Sequence, residues 1–525
     1  MQFNSIGFSM FKKLFDLFYH PFFFLFFALF ILHPSSFILL STVPPELCVT
    51  KDEAIETSHE ITINGKKIAY KAVAGTLILK DEKCNPKASV FYISYIKEGV
   101  DNTANRPISF CFNGGPGSSS VWLHLGMLGP KRVDLSVSGD TLPPYKMVDN
   151  DFSMLEMTDL VFIDPVSTGY SQAIPFEDEK KYHGVEEDIK FFAEFIRLFV
   201  TRVNRWESPK FIVGASYGTT RAAALANYMH DKDYLYINGI ILISSILNFE
   251  SIDFSAGNDL PYLLYLPSYT AAAWYHKKLA PELQENFDKT IELSRQFVSN
   301  DYVKALFKGD LLSQVEKQEV IKKFAYFTGI DPNFIEKSNL RIEMSRFDKE
   351  LLRSNKRTIG RFDSRYLGID ADAAGEHTEY DPSISAIFGA FAAAFNEYVH
   401  TDLKWSMNQR YTLLASLGNT WDYGITNQYL NVSENLRKVM TKNPFLTVFV
   451  ANGYYDLATP FFATEYTFNH LGLDPSLLNH VTMKYYHAGH MMYTDPNSLK
   501  KLKQDLAKYF TDTLKAQKKE AKDPK

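Results

Sequence analysis

Residues 210–226 read KFIVGASYGTTRAAALA, an apolar run followed by Gly-x-Ser-x-Gly and a segment of strong helix formers. A serine held at a sharp turn between a strand and a helix needs small neighbours, and Gly214 and Gly218 supply them. The N-terminus of the following helix also favours negative charge that develops beside the serine. Gly-x-Ser-x-Gly alone arises by chance in many proteins. The flanking strand and helix are what predict Ser216 as a nucleophile.

A catalytic serine needs two partners, a histidine that removes its proton and a carboxylate that orients the histidine. Asp456 and His490 each follow the end of a later apolar run. The order Ser, Asp, His along the chain is the order expected after a nucleophile of this kind. A turn aspartate and a surface histidine are the ordinary alternatives, and His487 is a rival base. Chain order and placement favour Ser216, Asp456 and His490 as a catalytic triad.

A glycine-rich turn at residues 113–120, NGGPGSSS, follows the apolar run 108–112. Backbone N–H groups of such a turn can point at the oxygen that becomes negative when the serine attacks a carbonyl group. The expected donors of this oxyanion hole are the N–H groups of Gly115 and of Tyr217, the residue after the nucleophile. A phosphate-binding loop is the alternative interpretation, but it would need a lysine that this turn lacks.

Short apolar runs recur along the chain, as expected for buried parallel strands that each end at a turn. They lie at residues 108–112, 160–163, 211–213, 240–243, 446–450 and 481–485. Before them, residues 60–97 read as short strands and contain Asn64-Gly65, a strong hairpin signal. Between the fourth and fifth runs, residues 281–297 and 318–327 carry apolar side chains at helical spacing.

These patterns predict an α/β protein with the α/β-hydrolase fold. Its central sheet is expected to be mostly parallel, with an antiparallel N-terminal edge and a mainly helical cap insertion. We expect the core at residues 60–250 and 405–514, and the cap at 251–404. Residues 515–525 are rich in lysine and poor in apolar side chains, so they are expected to be a disordered charged tail.

The N-terminal residues form a separate segment, because Lys12 and Lys13 precede a phenylalanine-rich apolar stretch. Residues 1–43 therefore predict either a secretory signal peptide or a retained signal anchor in a membrane. The interruption HPSS at residues 33–36 disfavours one straight membrane helix. We expect the protein to be exported: secreted, periplasmic or membrane-anchored.

Composition limits the choice of partners. Of the 525 residues, 46% are hydrophobic and 22% are charged, and the formal net charge is −5. The negative charge and the lack of a basic stripe disfavour a nucleic-acid partner. Cys48, Cys84 and Cys111 are too few for a disulfide-dense scaffold, although the first two can pair in an exported protein. The oligomeric state is left open by the sequence.

Four segments resemble the serine carboxypeptidase family, peptidase family S10: residues 113–120, 160–171, 214–218 and 452–490. The resemblance covers about residues 60–250 and 405–510. It implies a hydrolase that removes C-terminal residues from peptides through an acyl-enzyme, with no metal ion and no cofactor. It also implies a cap that shapes the pocket and substrate contacts at Asn113 and Gly114.

The resemblance breaks down at the residues that would bind a free carboxylate of the substrate. The family uses an asparagine and two glutamates that share protons at acidic pH. Asn113 is present, but Ala215 and Met127 stand at the positions expected for the glutamates, and Ser118 replaces a family cysteine. Because the acid pair is missing, we expect the activity optimum to lie nearer neutral pH, where the imidazole of His490 is deprotonated. An optimum below about pH 5 would contradict this, since an unperturbed imidazole is charged there.

An esterase or an acyltransferase with the same triad is therefore an alternative to a carboxypeptidase. A non-catalytic envelope-anchored binding protein is a third interpretation, which the complete set of catalytic residues disfavours. In the cap, Arg361 and Arg365 can pair with a substrate carboxylate in place of the missing acids. An ordinary solvated charge cluster explains these two arginines equally well.

Overall fold

The structure is a computed structural model that describes residues 52–135, 142–174 and 177–522. The expected signal segment, residues 1–43, and Cys48 lie outside these ranges. Cys84, which can pair with Cys48 in an exported protein, is exposed, and Cys111 is buried. None of the helices in the described ranges is long and apolar enough to cross a membrane.

The strands are β1 (Glu53–Ile63), β2 (Lys66–Lys80), β3 (Pro86–Lys97), β4 (Ile108–Phe112), β5 (Lys131–Val133), β6 (Met147–Asp149), β7 (Asp159–Ile163), β8 (Gln172–Ala173), β9 (Lys210–Ala215), β10 (Gly239–Ile243), β11 (Thr358–Ile359), β12 (Leu367–Gly368), β13 (Thr447–Gly453) and β14 (Val481–Tyr486). Within the described ranges, 10 strands form one sheet in the order β1-β2-β3-β7-β4-β9-β10-β13-β14, with β8 beside β3. The short pairs β5–β6 and β11–β12 lie outside that sheet.

The sheet has the mixed character that the sequence predicts. From β7 to β14 every neighbouring pair is parallel, whereas β1, β2, β3 and β7 pair antiparallel. The six apolar runs are confirmed as strands of this sheet. Asn64 and Gly65, at φ 51° and 75°, make the turn between β1 and β2, because both residue types tolerate the left-handed conformation.

The helices are α1 (Val121–Leu123), α2 (Val185–Arg202), α3 (Tyr217–Lys232), α4 (Leu260–Tyr275), α5 (Pro281–Gln284), α6 (Phe287–Phe297), α7 (Val303–Lys308), α8 (Gln314–Thr328), α9 (Pro332–Lys337), α10 (Met344–Glu350), α11 (Pro382–Thr401), α12 (Ser433–Lys442), α13 (Phe461–Asn469) and α14 (Pro496–Lys522). Two apolar clusters cover the two faces of the sheet, since parallel strands are apolar on both sides. One cluster includes α2, α3 and α12, and the other includes α11 and α14.

The cap is mainly helical, and its helices share an apolar cluster of their own that includes Tyr269, Phe324 and Phe347. Helix α11 lies within residues 251–404, the range expected for the cap, but it does not pack with the other helices of that range. Its apolar side chains, among them Phe391 and Phe395, pack in the cluster of the sheet and not in that of the cap. This helix therefore packs with the sheet although it lies within the range expected for the cap.

The C-terminal segment also differs from expectation. Helix α14 continues to Lys522, so the tail that we expected to be disordered from residue 515 is helical up to that point. Leu506 and Phe510 bury one face of the helix in the core. Beyond them, the Gln517 carboxamide donates to the backbone carbonyls of Asn238 and Phe445 at 3.0 and 2.9 Å. These contacts hold a polar segment that composition alone assigns to solvent.

Candidate active site

Ser216 lies at the junction that the sequence predicts, between the end of β9 and the start of α3. Its backbone has φ 59° and ψ −131°, a strained conformation for a residue with a side chain. The turn requires glycine on one side, since a Cβ on Gly214 would lie 2.2 Å from the carbonyl oxygen of Gly218. The tight turn leaves the Ser216 side chain partly exposed while its neighbours are buried.

Asp456 and His490 meet at the carboxyl ends of β13 and β14. Asp456 is fully buried, and its Oδ2 lies 2.8 Å from Nδ1 of His490. An ionised carboxylate only accepts hydrogen bonds, so Nδ1 carries the proton and Nε2 keeps a free lone pair. Asp456 also accepts from the backbone N–H groups of Ala458 and Thr459 at 2.7 and 2.9 Å. These bonds fix the carboxylate that orients the imidazole.

Thr459 is a contributor that sequence reasoning missed. Its hydroxyl donates to Asp456 Oδ2 at 2.7 Å and lies 3.1 Å from Nδ1 of His490. The sequence signal that could have identified it is its position three residues after Asp456, because a hydroxyl in such a turn can donate a hydrogen bond to the preceding carboxylate. The rival base His487 is not among the described residues that line the cavity, and its ring packs against Phe287 and Tyr454, with centroids 4.8 and 5.3 Å apart.

Ser216 and His490 open into the same cavity, which has a volume of about 500 Å³. Its walls come from the glycine-rich turn after β4, from the cap, from the loop at residues 414–418 and from the turn after Asp456. The larger side chains are mostly apolar: Trp122, Ile246, Phe249, Ile252, Phe362, Ile384, Phe388, Leu414, Leu417 and Met491. Tyr423 and Tyr493 add aromatic surface with a hydroxyl group. Such a cavity accepts an apolar group beside the serine.

The predicted oxyanion residues, Gly115 and Tyr217, both line this cavity. Gly115 has φ 103°, a conformation open to glycine. Tyr217 is the first residue of α3, and the first N–H groups of a helix have no acceptor within the helix. Gly114 brings the two segments into contact, because a Cβ there would lie 2.4 Å from the Tyr217 nitrogen. The arrangement suits two N–H donors that converge beside Ser216.

The residues expected to bind substrate are only partly at the cavity. Asn113 and Gly114 line it, but the Asn113 side-chain oxygen already accepts from the N–H of Leu123 at 3.0 Å. Ala215 lines the cavity as well, whereas Met127 is buried in the apolar core. Ser118, at the family's cysteine position, accepts from the indole N–H of Trp122 at 2.9 Å.

The two cap arginines have different surroundings. Arg365 donates to Asp363 from two nitrogens, at 2.9 and 2.7 Å, and to the carbonyl oxygen of His487 at 2.9 Å. Arg365 and Asp363 therefore form an internal ion pair. Arg361 is exposed and lines the cavity. In the part of the chain that the structure describes, no group of three or more His, Cys, Asp or Glu side chains could hold a metal ion.

A buried ion pair supports the turn from behind. Arg221, in α3, donates to Asp188 at 2.8 Å and to the backbone carbonyl of Asn113 at 2.6 Å. Burial raises the pKa of Asp188, and the guanidinium opposes that shift. This arginine joins the nucleophile helix to the glycine-rich turn, so it helps to set the distance between the two expected oxyanion donors.

Comparisons with known proteins point to one family. A family model described as serine carboxypeptidase, Peptidase_S10, matches residues 66–495. The chain is 35% identical over 92 residues to Carboxypeptidase Y homolog A of Chaetomium globosum, covering 17% of this chain and 15% of the relative. It is 24% identical over 263 residues to Serine carboxypeptidase-like 45 of Arabidopsis thaliana, covering 48% of this chain and 49% of the relative. The alignments thus span less than half the length of these relatives.

Among solved structures, the chain resembles the prohormone-processing carboxypeptidase Kex1Δp from Saccharomyces cerevisiae. The TM-score is 0.53 at 16% identity, and the match covers 84% of this chain and 91% of the other. At this identity the likeness concerns the fold alone. It supports the α/β-hydrolase fold that the sequence predicts.

Proposed function

The chain belongs to the serine carboxypeptidase family, and on that premise we propose that it is a serine-type carboxypeptidase that removes C-terminal residues from peptides. One observation carries the proposal: His490, bonded to the buried Asp456, lines the cavity that holds Ser216 at a strained turn. These groups supply a nucleophile, a base and an orienting carboxylate in the roles that acyl transfer requires.

In the first half of the proposed reaction, Ser216 Oγ attacks the carbonyl carbon of the last peptide bond. His490 Nε2 takes the hydroxyl proton, and Asp456 stabilises the resulting imidazolium through Nδ1–H. The carbonyl oxygen becomes negative and accepts hydrogen bonds from the N–H groups of Gly115 and Tyr217. The imidazolium then gives its proton to the leaving amine, so the C-terminal amino acid departs and an acyl-enzyme remains.

In the second half, water takes the place of the departed amine. His490 removes a proton from the water, whose oxygen attacks the acyl carbon, and the tetrahedral intermediate collapses to release the shortened peptide. The proton returns to Ser216 Oγ.

The test is hydrolysis of an N-blocked dipeptide with a free carboxylate, compared with its C-terminal amide and with an ester analogue. We expect the free acid to be cleaved and Ser216→Ala to abolish cleavage. A serine-directed fluorophosphonate should label the wild type and not the variant. Hydrolysis or labelling that survives Ser216→Ala would overturn the assignment of the nucleophile.

A second function, ester hydrolysis or acyl transfer, is favoured by one specific observation. No Asp or Glu is among the described residues that line the cavity, and Ala215 stands where the family's glutamate is expected. If only the ester analogue turns over, with the same dependence on Ser216, this second function replaces the first. A protein that is labelled by the probe is in either case not a silent binding module.

We further propose that the protein is exported, on the evidence of the Lys12-Lys13 pair and the apolar stretch that follows it. Fractionation of cells that express the full chain tests this directly. We expect the protein in the medium, the envelope or a membrane fraction, with an N-terminal sequence that reports whether residues 1–43 are removed. Recovery of the full chain in the cytosolic fraction would contradict export.

A further inference from the structure

Among the described residues that line the cavity beside Ser216, Arg361 is the one with a guanidinium side chain. We propose that Arg361 binds the terminal carboxylate of the substrate and so takes the place of the glutamate pair that this chain lacks. The inference rests on the proposed function of Ser216, because it concerns the substrate that this serine attacks.

The charges around the cavity support this role. Among the described residues that line it, Arg361 is the only lysine or arginine, and no aspartate or glutamate is present. A carboxylate that enters an otherwise mostly apolar cavity loses hydration and needs a charged partner in return. A guanidinium meets this need well, since its planar donors match the two oxygens of a carboxylate and it stays charged at every relevant pH.

The guanidinium is also available. Within the described ranges it makes no ion pair or hydrogen bond, and its Cζ lies 5.6 Å from the centre of the Phe362 ring. The nearby Asp381 carboxylate accepts hydrogen bonds from the backbone N–H groups of Arg361, Phe362 and Ser383, and not from the Arg361 guanidinium. Asp348 is also near enough to interact with Arg361, but burial raises the pKa of its carboxyl well above the ordinary value. Burial therefore opposes the ionised form of Asp348, the form that would compete for the guanidinium.

The backbone of Arg361 is fixed between the two catalytic loops. Its carbonyl oxygen accepts from the N–H of Leu457, next to Asp456, at 3.0 Å. The carbonyl oxygen of Phe362 accepts from the N–H of His490 at 2.6 Å. The Phe362 ring then lies 4.6 Å from the imidazole of His490, centre to centre. One aromatic ring thus separates the guanidinium from the proposed base.

This placement agrees with the direction of the reaction. In a C-terminal residue the carboxylate is two bonds from the amine that His490 must protonate. A partner for the carboxylate therefore belongs on the side of the cavity where His490 lies. Arg365, the other candidate of the sequence, is excluded because Asp363 and Asp495 already neutralise it.

The experiment measures carboxylate binding separately from peptide cleavage. Ser216-dependent hydrolysis of an N-blocked amino-acid ester serves as the reporter, and N-blocked phenylalanine and its amide serve as competitive inhibitors. We expect the acid to inhibit the wild type at a lower concentration than the amide. In Arg361→Gln this preference should fall by roughly 10- to 100-fold, the scale of one charge-assisted hydrogen bond, and Arg361→Lys should restore a large part of it.

Arg357→Gln is the matched control, because Arg357 is exposed on the same cap segment and does not line the cavity. It should keep the wild-type preference. An unchanged acid-to-amide ratio in Arg361→Gln, or the same loss in Arg357→Gln, would overturn the proposal. These outcomes are distinct from failure of the proposed function, which would appear as ester hydrolysis that survives Ser216→Ala.

Discussion

Asp456 accepts hydrogen bonds from three groups of its own turn and lies 2.8 Å from the imidazole of His490. The turn would therefore hold an amide at this position in almost the same place as the carboxylate. What changes is the polarity of the bond to Nδ1, since an amide cannot stabilise an imidazolium and can favour the wrong tautomer. Replacing the Asp456 carboxylate by an amide therefore tests the effect of its charge on the proposed reaction while the geometry of the turn stays nearly the same.

Asp456→Asn is expected to lower kcat by about 10³- to 10⁴-fold with little change in KM, because the wrong tautomer removes the base. The measurement is steady-state hydrolysis of the ester and the free-acid peptide, with thermal unfolding as a check that the variant folds. A decrease of less than tenfold would show that His490 does not depend on this carboxylate.

A second histidine, His124, is relevant to stability. Its ring is buried, lies 2.7 Å from the Tyr95 hydroxyl and stacks on Phe162 at 4.4 Å. Burial lowers its pKa to about 3, so the folded protein keeps the ring neutral where an unfolded chain would protonate it below its ordinary pKa of 6.5. Between these values the unfolded state binds more protons, and stability falls as the pH decreases.

We therefore expect His124→Gln to flatten the pH dependence of stability. Over pH 4.5 to 6, the free energy of unfolding of the wild type should fall with decreasing pH more steeply than that of the variant, by up to about 1.4 kcal/mol per pH unit for one proton. Urea unfolding at several pH values measures both slopes. Equal slopes would show that His124 is not the group responsible.

At the scale of elements, residues 360–365 connect the cap to the loops of the triad. Asp363 accepts from the N–H of Gly489 at 3.0 Å, and the N–H of Ser364 donates to Tyr455 at 3.0 Å. Arg365 neutralises Asp363 and reaches the carbonyl of His487. We call residues 360–365 the cap strap. It bonds on both sides of Asp456 and His490, so it restricts where the imidazole can lie.

Asp363→Ala is expected to destabilise the protein by about 3 kcal/mol, because it leaves the largely buried Arg365 without its main partner. It should also lower kcat, since Gly489 precedes His490. Chemical denaturation and ester hydrolysis of the folded fraction measure the two effects. Glu434→Ala, which breaks the exposed pair with Arg437, is the control and should change neither quantity appreciably.

Sequence reasoning succeeds for elements whose signal is local. Parallel strands are continuous apolar runs, so β4, β9 and β13 were predictable, and Gly214 marks the turn at Ser216 because only a small residue fits there. It cannot distinguish Arg361 from Arg365, because Asp363 is two residues from each arginine, and the further partners of Arg365 lie far along the chain at residues 487 and 495. Helix α11 was predictable as apolar, but the cluster it joins depends on tertiary packing.

Within the described ranges, the cavity beside Ser216 is lined by no aspartate or glutamate, the acids that would need to be protonated at low pH to bind a carboxylate. Protonation of two histidines at low pH is then expected to lower the activity and the stability of the protein. The proposed reaction requires a neutral imidazole at His490 as its general base, and burial favours a neutral ring at His124 in the folded state. Both requirements favour neutral over acidic pH.

The expected pH profile of kcat/KM rises from pH 5 towards pH 7 for both the peptide and the ester. Rapid return from pH 5 to pH 7 should restore activity if only catalytic groups have titrated, and should fail in the fraction that has unfolded. The comparison is made on wild-type protein in one buffer series at constant ionic strength. A maximum below pH 5 would contradict the role assigned to the missing glutamate pair.

The cap strap has a consequence for any attempt to exchange substrate preferences between relatives. A chimera that replaces the cap as a block would remove acceptors for the N–H groups of Leu457 and His490 and for that of Gly489. Transplanting a foreign cap would thus disturb the reaction centre along with the pocket. Recombination boundaries that leave residues 360–365 with the recipient core, and exchange only the helices before them, are the ones expected to yield active hybrids.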